Sequence, residues 1–191
     1  MRKPLYNPGV TDDENVGELE SRRDRIKLEV TELYESYAQD LFRYLLCLTR
    51  NSDLAQEAVQ ETFLRYHGYR LQHGAPPESR GWFFKVARNY VIDQVRISKP
   101  DKHVRLEEAL MSADGSPDPF QHLSSLESLD QLAALLAPRE LECLQLRAEG
   151  FKYKEIAHIL RIEPGTVGAT LAPGLKKIRA RYVDKVSKED G

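Results

Sequence analysis

The side chains whose types and spacing are best suited to binding chemistry lie between Ser79 and Arg96, in the stretch SRGWFFKVARNYVIDQVR. Cations bind phosphates, amides and carboxylates hydrogen-bond to base edges, and aromatic rings stack on bases. From residue 79 to 105 there are seven Lys or Arg against two Asp, in a chain whose net charge is -2. The stretch is therefore a candidate nucleic-acid surface, with these residues as its contacts: Arg80, Trp82, Lys85, Arg88, Asn89, Asp93 and Arg96.

A helix is the element that would position these groups. At 100° per residue, one continuous half of the wheel holds Phe83, Phe84, Val86, Ala87, Tyr90, Val91 and Val95. The pattern predicts an amphipathic helix to about Ile97, with Trp82 and Ile92 near its boundary or in water. For Trp82, core packing is favoured over base stacking. For Asp93, an ion pair with Arg96 or Arg88 and a base contact stay equally open.

A second candidate surface lies on the preceding helix. Asp53 is the predicted N-cap, with Gln56 three residues on, and Tyr66 closes an inward stripe. The outward face is acidic and amide-rich around an exposed Leu64, which suggests an anchor for a basic partner. An ordinary solvated helix face is the more common meaning of such a pattern. The candidate partner-binding residues are Asp53, Glu57, Gln60, Glu61 and Leu64.

The C-terminal part of the chain predicts a helix-turn-helix. An apolar helix follows Pro138 and leads to Gly150, and a further helix runs from Tyr153 to Leu160. The three residues from Arg161 to Glu163 form the turn, and Pro164 opens the last helix. A plain helical hairpin is the alternative.

The fold class predicted from these elements is all-α, with two small helical domains joined by a flexible linker. The expected order is a flexible extension (1–26), a first domain (27–98), an acidic linker (99–125), the helix-turn-helix domain (126–183) and a tail (184–191). Within the first domain a helix is expected from Thr31 to about Asn51, and a loop over 68–79.

Composition excludes several classes of protein. The apolar runs fall short of the roughly 18 residues that a membrane span needs, and the opening segment lacks a signal-peptide core, so a cytoplasmic location is expected. Cys47 and Cys143 read as core thiols, and the histidines show no ligand spacing with them. The chain offers no catalytic pair, phosphate loop or metal cluster, so we expect no enzyme activity, cofactor or metal.

Three motifs, in matching order and spacing, resemble those of the bacterial RNA polymerase sigma factors of the extracytoplasmic-function (ECF) group of the sigma-70 family. They are DLAQEAVQETFLR at 53–65, GWFFKVARNYVIDQVR at 81–96 and the helix-turn-helix at 153–167. The resemblance implies a subunit that binds core RNA polymerase and directs promoter recognition, melting and initiation at a restricted promoter set. Core polymerase, promoter DNA and an anti-sigma factor are the implied partners, with no small-molecule substrate and no membrane insertion.

The resemblance also assigns roles to the surfaces. The Asp53 to Leu64 face would dock on a coiled coil of the polymerase's largest subunit, and the Gly81 to Arg96 helix would read the melted minus-ten strand, with a flipped base near the loop before it. The last helices would read the minus-thirty-five duplex through Lys154, Thr166, Thr170, Lys176, Lys177 and Arg179.

Two positions depart from the family's pattern. Arg161 stands where a turn glycine is usual, at a cost of about 1 kcal/mol if the backbone there is left-handed. Pro173, followed by Gly174, interrupts the last helix and predicts two helical segments joined by a kink. Weak recognition of the upstream promoter element is therefore expected.

Two alternatives to the function of a sigma factor stay open from the sequence. One is a DNA-binding regulator that uses the helix-turn-helix alone, and the other is a sigma-like module that binds polymerase without initiating.

Overall fold

Six helices make up the described part of the protein, for which we use a computed structural model. It describes residues 12–76, 79–98 and 135–189, with side chains over 20–76, 80–98 and 135–181. The helices are α1 (Asp12–Thr49), α2 (Ser52–His73), α3 (Ser79–Ser98), α4 (Pro138–Ala148), α5 (Tyr153–Leu160) and α6 (Pro164–Glu189). The prediction of an all-α fold is confirmed. The predicted linker over 99–125 lies outside the described residues, and so do residues 126–134 of the expected second domain.

The first domain is a three-helix unit around an aromatic core. Phe83 of α3 is fully buried, and its ring centroid lies 4.7 Å from that of Phe63, 4.8 Å from Tyr66 and 5.8 Å from Tyr37. Rings from all three helices therefore meet at one residue. Such contacts add to the free energy of burying large apolar side chains, so this cluster holds α1, α2 and α3 together.

Residues 12 to 26 correct the prediction of a flexible N-terminal extension, because they are helical and continue α1. Ile26 is buried, and the Arg22 guanidinium donates to the Leu71 carbonyl over 3.2 Å. Further along, Tyr66 donates to Glu29 over 2.6 Å, and Arg70 forms a bidentate ion pair with the same carboxylate. The hydrogen bond from Arg70 is the main reason that the pKa of Glu29 lies below its usual value. Extending an existing helix needs no new nucleus, so an apolar period is not required.

Both ends of α2 differ from prediction. Asn51 is the N-cap, and its side chain accepts from the Leu54 amide over 2.9 Å, so Asp53 lies in the first turn instead. There its negative carboxylate interacts favourably with the positive, N-terminal end of the helix dipole. At the other end the helix runs through Gly68 to His73, so the loop expected over 68–79 begins only at Gly74. Contacts of Tyr69 with Trp82 and of Arg70 with Glu29 outweigh the roughly 1 kcal/mol that a helical glycine costs.

The second domain contains the predicted helix-turn-helix, with bounds that match the sequence pattern. Pro138 is the first residue of α4, and the Glu140 carboxylate accepts from the Ala137 amide over 2.8 Å. Helix α5 ends at Leu160, and α6 begins at Pro164. Buried Ala157 and half-buried Ile162 pack at the turn. The prediction of a helix-turn-helix is confirmed.

The backbone at Arg161 is left-handed, with φ 54° and ψ 49°, which is the condition under which a cost was expected for this residue. Replacing it, Arg161→Gly, is expected to raise the free energy of unfolding by about 1 kcal/mol, because glycine has no Cβ to crowd this conformation. Urea denaturation followed by circular dichroism measures the change. Arg161→Ala, which keeps the Cβ, is the matched control. An equal gain in both variants would show that the side chain, not the backbone, is the source.

Helix α6 continues across Pro173 as one element, so the proline does not end it, while the kink stays a prediction. Pro173 and Ala169 are both exposed, which lets water satisfy the carbonyl that proline leaves without a donor. Gly174 is buried against α4. A Cβ there would lie 3.0 Å from Leu144 Cδ1 and 3.4 Å from Glu140 Cβ. The glycine therefore allows α6 and α4 to approach closely.

The apolar core does not stop at the domain boundary. Buried Phe84 of α3 contacts Tyr44 of α1 at 5.2 Å between ring centroids and Phe151 of the second domain at 4.9 Å. Cys143 belongs to the same buried cluster, and burial raises the pKa of its thiol to about 11. Cys47 is half-buried against Leu136 and Leu141, so both cysteines lie where core thiols were expected. None of the helices within the described ranges is long and apolar enough to span a membrane.

Candidate nucleic-acid and partner interfaces

Helix α3 buries most of its predicted apolar face, but only part of its predicted polar face is exposed. Phe83, Phe84, Ala87, Val91 and Val95 are buried, while Asp93 and Arg96 are exposed. Ile92 is a correction, because it is buried rather than near water. Trp82 is half-buried and packs edge-on against Tyr66 at 5.5 Å, with Tyr69 at 5.8 Å. Trp82 therefore packs within the first domain and keeps part of its surface accessible.

Arg88 is the largest departure from the predicted surface, since its side chain is only 3% exposed. Its Nε donates to Oε1 of Glu142 over 2.5 Å and its Nη2 to Oε2 over 3.3 Å, and Glu142 is equally buried. The Tyr44 hydroxyl donates to the same carboxylate over 3.1 Å. Burial, then the charge of Glu142, raises the pKa of Tyr44 well above its usual value, so this donor keeps its proton. Arg88 thus joins the two domains and is covered in this structure.

Two more cations of α3 contact the second domain. Arg80 donates to the Glu149 carbonyl over 2.6 Å and to its carboxylate over 3.1 Å, and its guanidinium lies 4.7 Å from the centre of the Phe151 ring. Lys85 Nζ lies 2.9 Å from His158 Nε2. Burial, reinforced by Asp40, raises the pKa of Glu149. Arg80, Lys85 and Arg88 are therefore engaged by carboxylate, carbonyl and imidazole groups of the second domain, whereas Arg96 is exposed.

A cavity of about 250 Å³ lies where α3 faces α5. Trp82, Lys85 and Asn89 line it from α3, and Tyr69 and Pro76 from the end of α2 and the loop that follows. The opposite wall is formed by Glu155, His158 and Ile159 of the helix-turn-helix. An indole, an amide and an ammonium converge on this space, which is the chemistry that holds an unstacked base.

Asp93 and Arg96 lie at the free end of the polar face. Their charged groups approach to 3.7 Å, and both side chains are more than half exposed. The ion pair with Arg96 that the sequence left open for Asp93 is thus present. At this exposure it contributes little to stability.

The predicted partner face of α2 is continuous and mostly exposed, at positions spaced for one side of a helix. Leu64 is 67% exposed, and Asp53 and Gln60 are also in water. Glu61 pairs with Arg65 over 2.7 Å. Glu57 accepts from the Tyr90 hydroxyl over 2.6 Å, and this bond raises the pKa of Tyr90 to about 12. The face is therefore tied to α3 through Tyr90.

The residues predicted to contact duplex DNA are divided between free and engaged groups. Lys154, Thr166, Lys176 and Arg179 are exposed, and Thr170 is half-buried. Lys177 instead pairs with the Glu140 carboxylate over 2.6 Å. The N-terminal turns of α6 are otherwise built of small residues, including Gly168 and Ala169.

Sequence reasoning missed the second-domain groups that meet α3, namely Glu142, Glu149, Phe151 and His158. One signal was present, because Glu142 and Glu149 are seven residues apart and share one side of the α4 region. An acidic side of that kind is ordinarily solvated, so the pattern did not reveal its partner. The described residues contain no group of three or more His, Cys, Asp or Glu that could hold a metal ion.

The helical domains, the basic face of α3 and the helix-turn-helix define a nucleic-acid-binding protein of two domains. Family comparisons identify it further. Residues 33–99 match the model of Sigma-70 region 2, and residues 126–178 match Sigma-70, region 4.

Relatives agree over most of the chain. It is 33% identical over 157 residues to the ECF RNA polymerase sigma factor SigL of Mycobacterium tuberculosis, covering 77% of this chain and 85% of the relative. It is 29% identical over 168 residues to ECF sigma factor SigM of Bacillus subtilis, covering 85% of this chain and all of SigM. The sigma factor RpoE of Bartonella quintana, solved with the anti-sigma factor NepR, shares the fold with a TM-score of 0.60 at 18% identity, over 80% of this chain and 95% of that one. The chain belongs to the ECF sigma factors of the sigma-70 family.

Membership defines the general role. The protein binds core RNA polymerase and directs promoter recognition and transcription initiation. Proteins of this family are initiation factors, and this role distinguishes the chain from a regulator that uses a helix-turn-helix alone.

Proposed function

We propose that this sigma factor docks on core polymerase with the α2 face and reads the melted minus-ten strand with α3 and the loop before it. The observation that carries the proposal is the cavity beside α3, where Trp82, Lys85 and Asn89 converge. A flipped base would pack against the indole and hydrogen-bond to the amide, while Arg96 and the other cations hold phosphates. The acidic α2 face with exposed Leu64 supports the docking assignment.

The helix-turn-helix is the proposed reader of the minus-thirty-five duplex, with Lys154, Thr166 and Thr170 nearest the bases and Lys176 and Arg179 toward the backbone. Gly168, Ala169 and Pro173 provide no hydrogen-bonding side chains in the first turns of α6. We therefore propose that upstream recognition is weak and that the first domain carries most promoter specificity.

The chain itself needs no catalytic activity in this scheme, because the polymerase forms the phosphodiester bond. We propose that it acts in the cytoplasm, where the polymerase works. An anti-sigma factor is a further proposed partner, supported by the complex in which the RpoE neighbour was solved.

Run-off transcription with purified core polymerase over a genomic promoter pool tests the proposal as a whole. Transcription should start at a small set of promoters that share a minus-ten sequence and have little upstream sequence in common. A complete absence of run-off transcripts from the promoter pool would overturn the proposed function. A strong shared upstream element would instead contradict weak reading by α6.

Asn89 is the residue of α3 whose loss should separate base reading from general binding. Asn89→Ala is expected to lower run-off transcription about tenfold, since it removes a directional hydrogen bond to the flipped base. Gln94→Ala on the same helix, outside the cavity, is the matched control and should leave transcription nearly unchanged. Equal losses in the two variants would remove Asn89 from the reading site.

A further inference from the structure

We propose that residues 21–27, on the N-terminal part of α1, form a second phosphate-binding surface for the melted promoter strand, beside the cavity of α3. The inference rests on the proposed reading of that strand by α3. These residues precede the part of the chain that matches Sigma-70 region 2, which begins at residue 33. The surface therefore lies on the part of α1 that extends beyond the matched domain.

The first observation is a local surplus of positive charge. Residues 21–27 carry four Lys or Arg against one Asp, in a chain whose net charge is -2, and all four cationic side chains are exposed. Lys27 pairs with Asp24 over 3.2 Å. Within the described residues, no carboxylate pairs with Arg23 or Arg25. An exposed guanidinium can donate two parallel hydrogen bonds to one phosphate.

The second observation is that contacts with α2 fix this part of α1. Arg22 donates to the Leu71 carbonyl over 3.2 Å, and Ile26 is buried. Almost one turn further along α1, the Glu29 carboxylate accepts a bidentate pair of hydrogen bonds from Arg70. Because the helix is already held in place, a ligand that binds its arginines pays less to order the backbone.

The third observation is the position of this surface relative to the cavity beside α3. Tyr69 and Pro76 line that cavity. Leu71, which accepts from Arg22, follows Tyr69 by two residues, or about 3 Å along the helix axis. Successive phosphates of a stacked strand are about 3.4 Å apart along its axis. A strand whose base occupies the cavity therefore reaches the basic part of α1 within a few nucleotides.

The two arginines without a carboxylate partner in the described residues lie on opposite sides of the contact with α2. At 100° per residue, Arg23 is about 60° to one side of buried Ile26, and Arg25 is about 100° to the other side. A strand that leaves the cavity on either side of α1 therefore meets one of the two guanidinium groups.

The surroundings favour a nucleic acid over an acidic protein as the ligand. Carboxylates of a protein could pair with the same arginines. Beside them, however, the rings of Tyr69 and Trp82 lie 5.8 Å apart and border the cavity, and Lys85 adds a cation. Cations next to aromatic rings are the combination that binds single strands. A protein partner is the competing outcome of the experiment.

The test uses holoenzyme assembled from core polymerase and the full-length variant Arg23→Ala with Arg25→Ala. Fluorescence anisotropy measures binding to labelled non-template single strands from a promoter found by run-off transcription. One strand is short and carries only the minus-ten sequence, and two others are lengthened by about five nucleotides at one end or the other. Both substituted side chains are exposed, so helical circular dichroism and the free energy of unfolding should match wild type.

We expect the variant to bind one lengthened strand about tenfold more weakly than wild type and the short strand equally well. Loss of two phosphate contacts should reduce the slope of log affinity against log salt by about 1.4, at about 0.7 for each contact. The preference for the minus-ten sequence over a scrambled one should stay as in wild type, because phosphates carry no base identity.

Lys152→Ala with Arg181→Ala is the matched control, because it removes the same charge from two exposed side chains of the second domain. It should bind all three strands as wild type does. Equal losses in the two double variants would show a general effect of net charge and would overturn the proposal.

Unchanged affinity for both lengthened strands would also overturn the proposal. So would weaker binding to core polymerase with normal strand binding, since that result identifies a protein as the partner of residues 21–27. Failure of the proposed function is separable, because it would appear as a normal sequence preference in Asn89→Ala. If Asn89→Ala loses the preference while the arginine variant binds every strand normally, α3 reads the promoter and the second surface is wrong.

Discussion

Phe83→Ala is expected to lower the free energy of unfolding by about 3–5 kcal/mol. The side chain is fully buried, and its ring meets Phe63, Tyr66 and Tyr37 from two other helices. Alanine would lose the transfer free energy of the ring and leave a cavity that rigid aromatic neighbours close poorly. Since small domains are stable by about 5–15 kcal/mol, much of the first domain's margin would disappear. Urea denaturation followed by circular dichroism measures the loss.

Val86→Ala is the matched control for this prediction, because Val86 is on the same helix but only half-buried and beside the cavity. It should cost about 1 kcal/mol or less. If Phe83→Ala costs no more than Val86→Ala, the aromatic cluster does not hold the three helices together. Transcription by Phe83→Ala should fall in parallel with the folded fraction.

Leu64→Arg is expected to weaken binding to core polymerase by at least about 30-fold, because a central apolar anchor is commonly worth 2 kcal/mol or more at an interface. The added charge would also meet the basic groups that the acidic face is proposed to attract. The free energy of unfolding should stay nearly constant, since Leu64 is 67% exposed in the free protein. Biolayer interferometry with immobilised core polymerase measures the affinity.

Leu28→Arg is the matched control, because Leu28 is an exposed leucine of similar accessibility, 62%, on α1. It should leave polymerase affinity close to wild type. A loss of the same size in both variants would show that the α2 face is not the docking site. A loss of stability in Leu64→Arg would show instead that Leu64 packs in the protein's own core.

Glu57 shows how docking and reading could be linked. It lies on the proposed docking face and accepts from Tyr90 of α3, above whose ring Arg65 is held at 5.3 Å. A polymerase group that draws Glu57 away would act directly on the reading helix. The two surfaces therefore share side chains as well as a core.

The sequence was most reliable where structure depends on near neighbours. Apolar spacing predicted the buried side of α3, and the residues from Tyr153 to Pro164 placed the helix-turn-helix within its actual bounds. These features depend on helical period and turn chemistry, which a window of about ten residues already contains.

The tertiary structure decided which partner each surface meets. Periodicity placed Arg88 on the polar side of α3, but its neighbour Glu142 is 54 residues away, and only packing of the two domains turns an exposed cation into a buried ion pair. From the sequence, Gly174 was expected to help interrupt the last helix. In the structure it is the point where α6 approaches α4. The sequence by itself thus determined the helices, their faces and the family. Which faces are covered depended on long-range contacts, because helical period states that a side is polar and not what charge stands opposite.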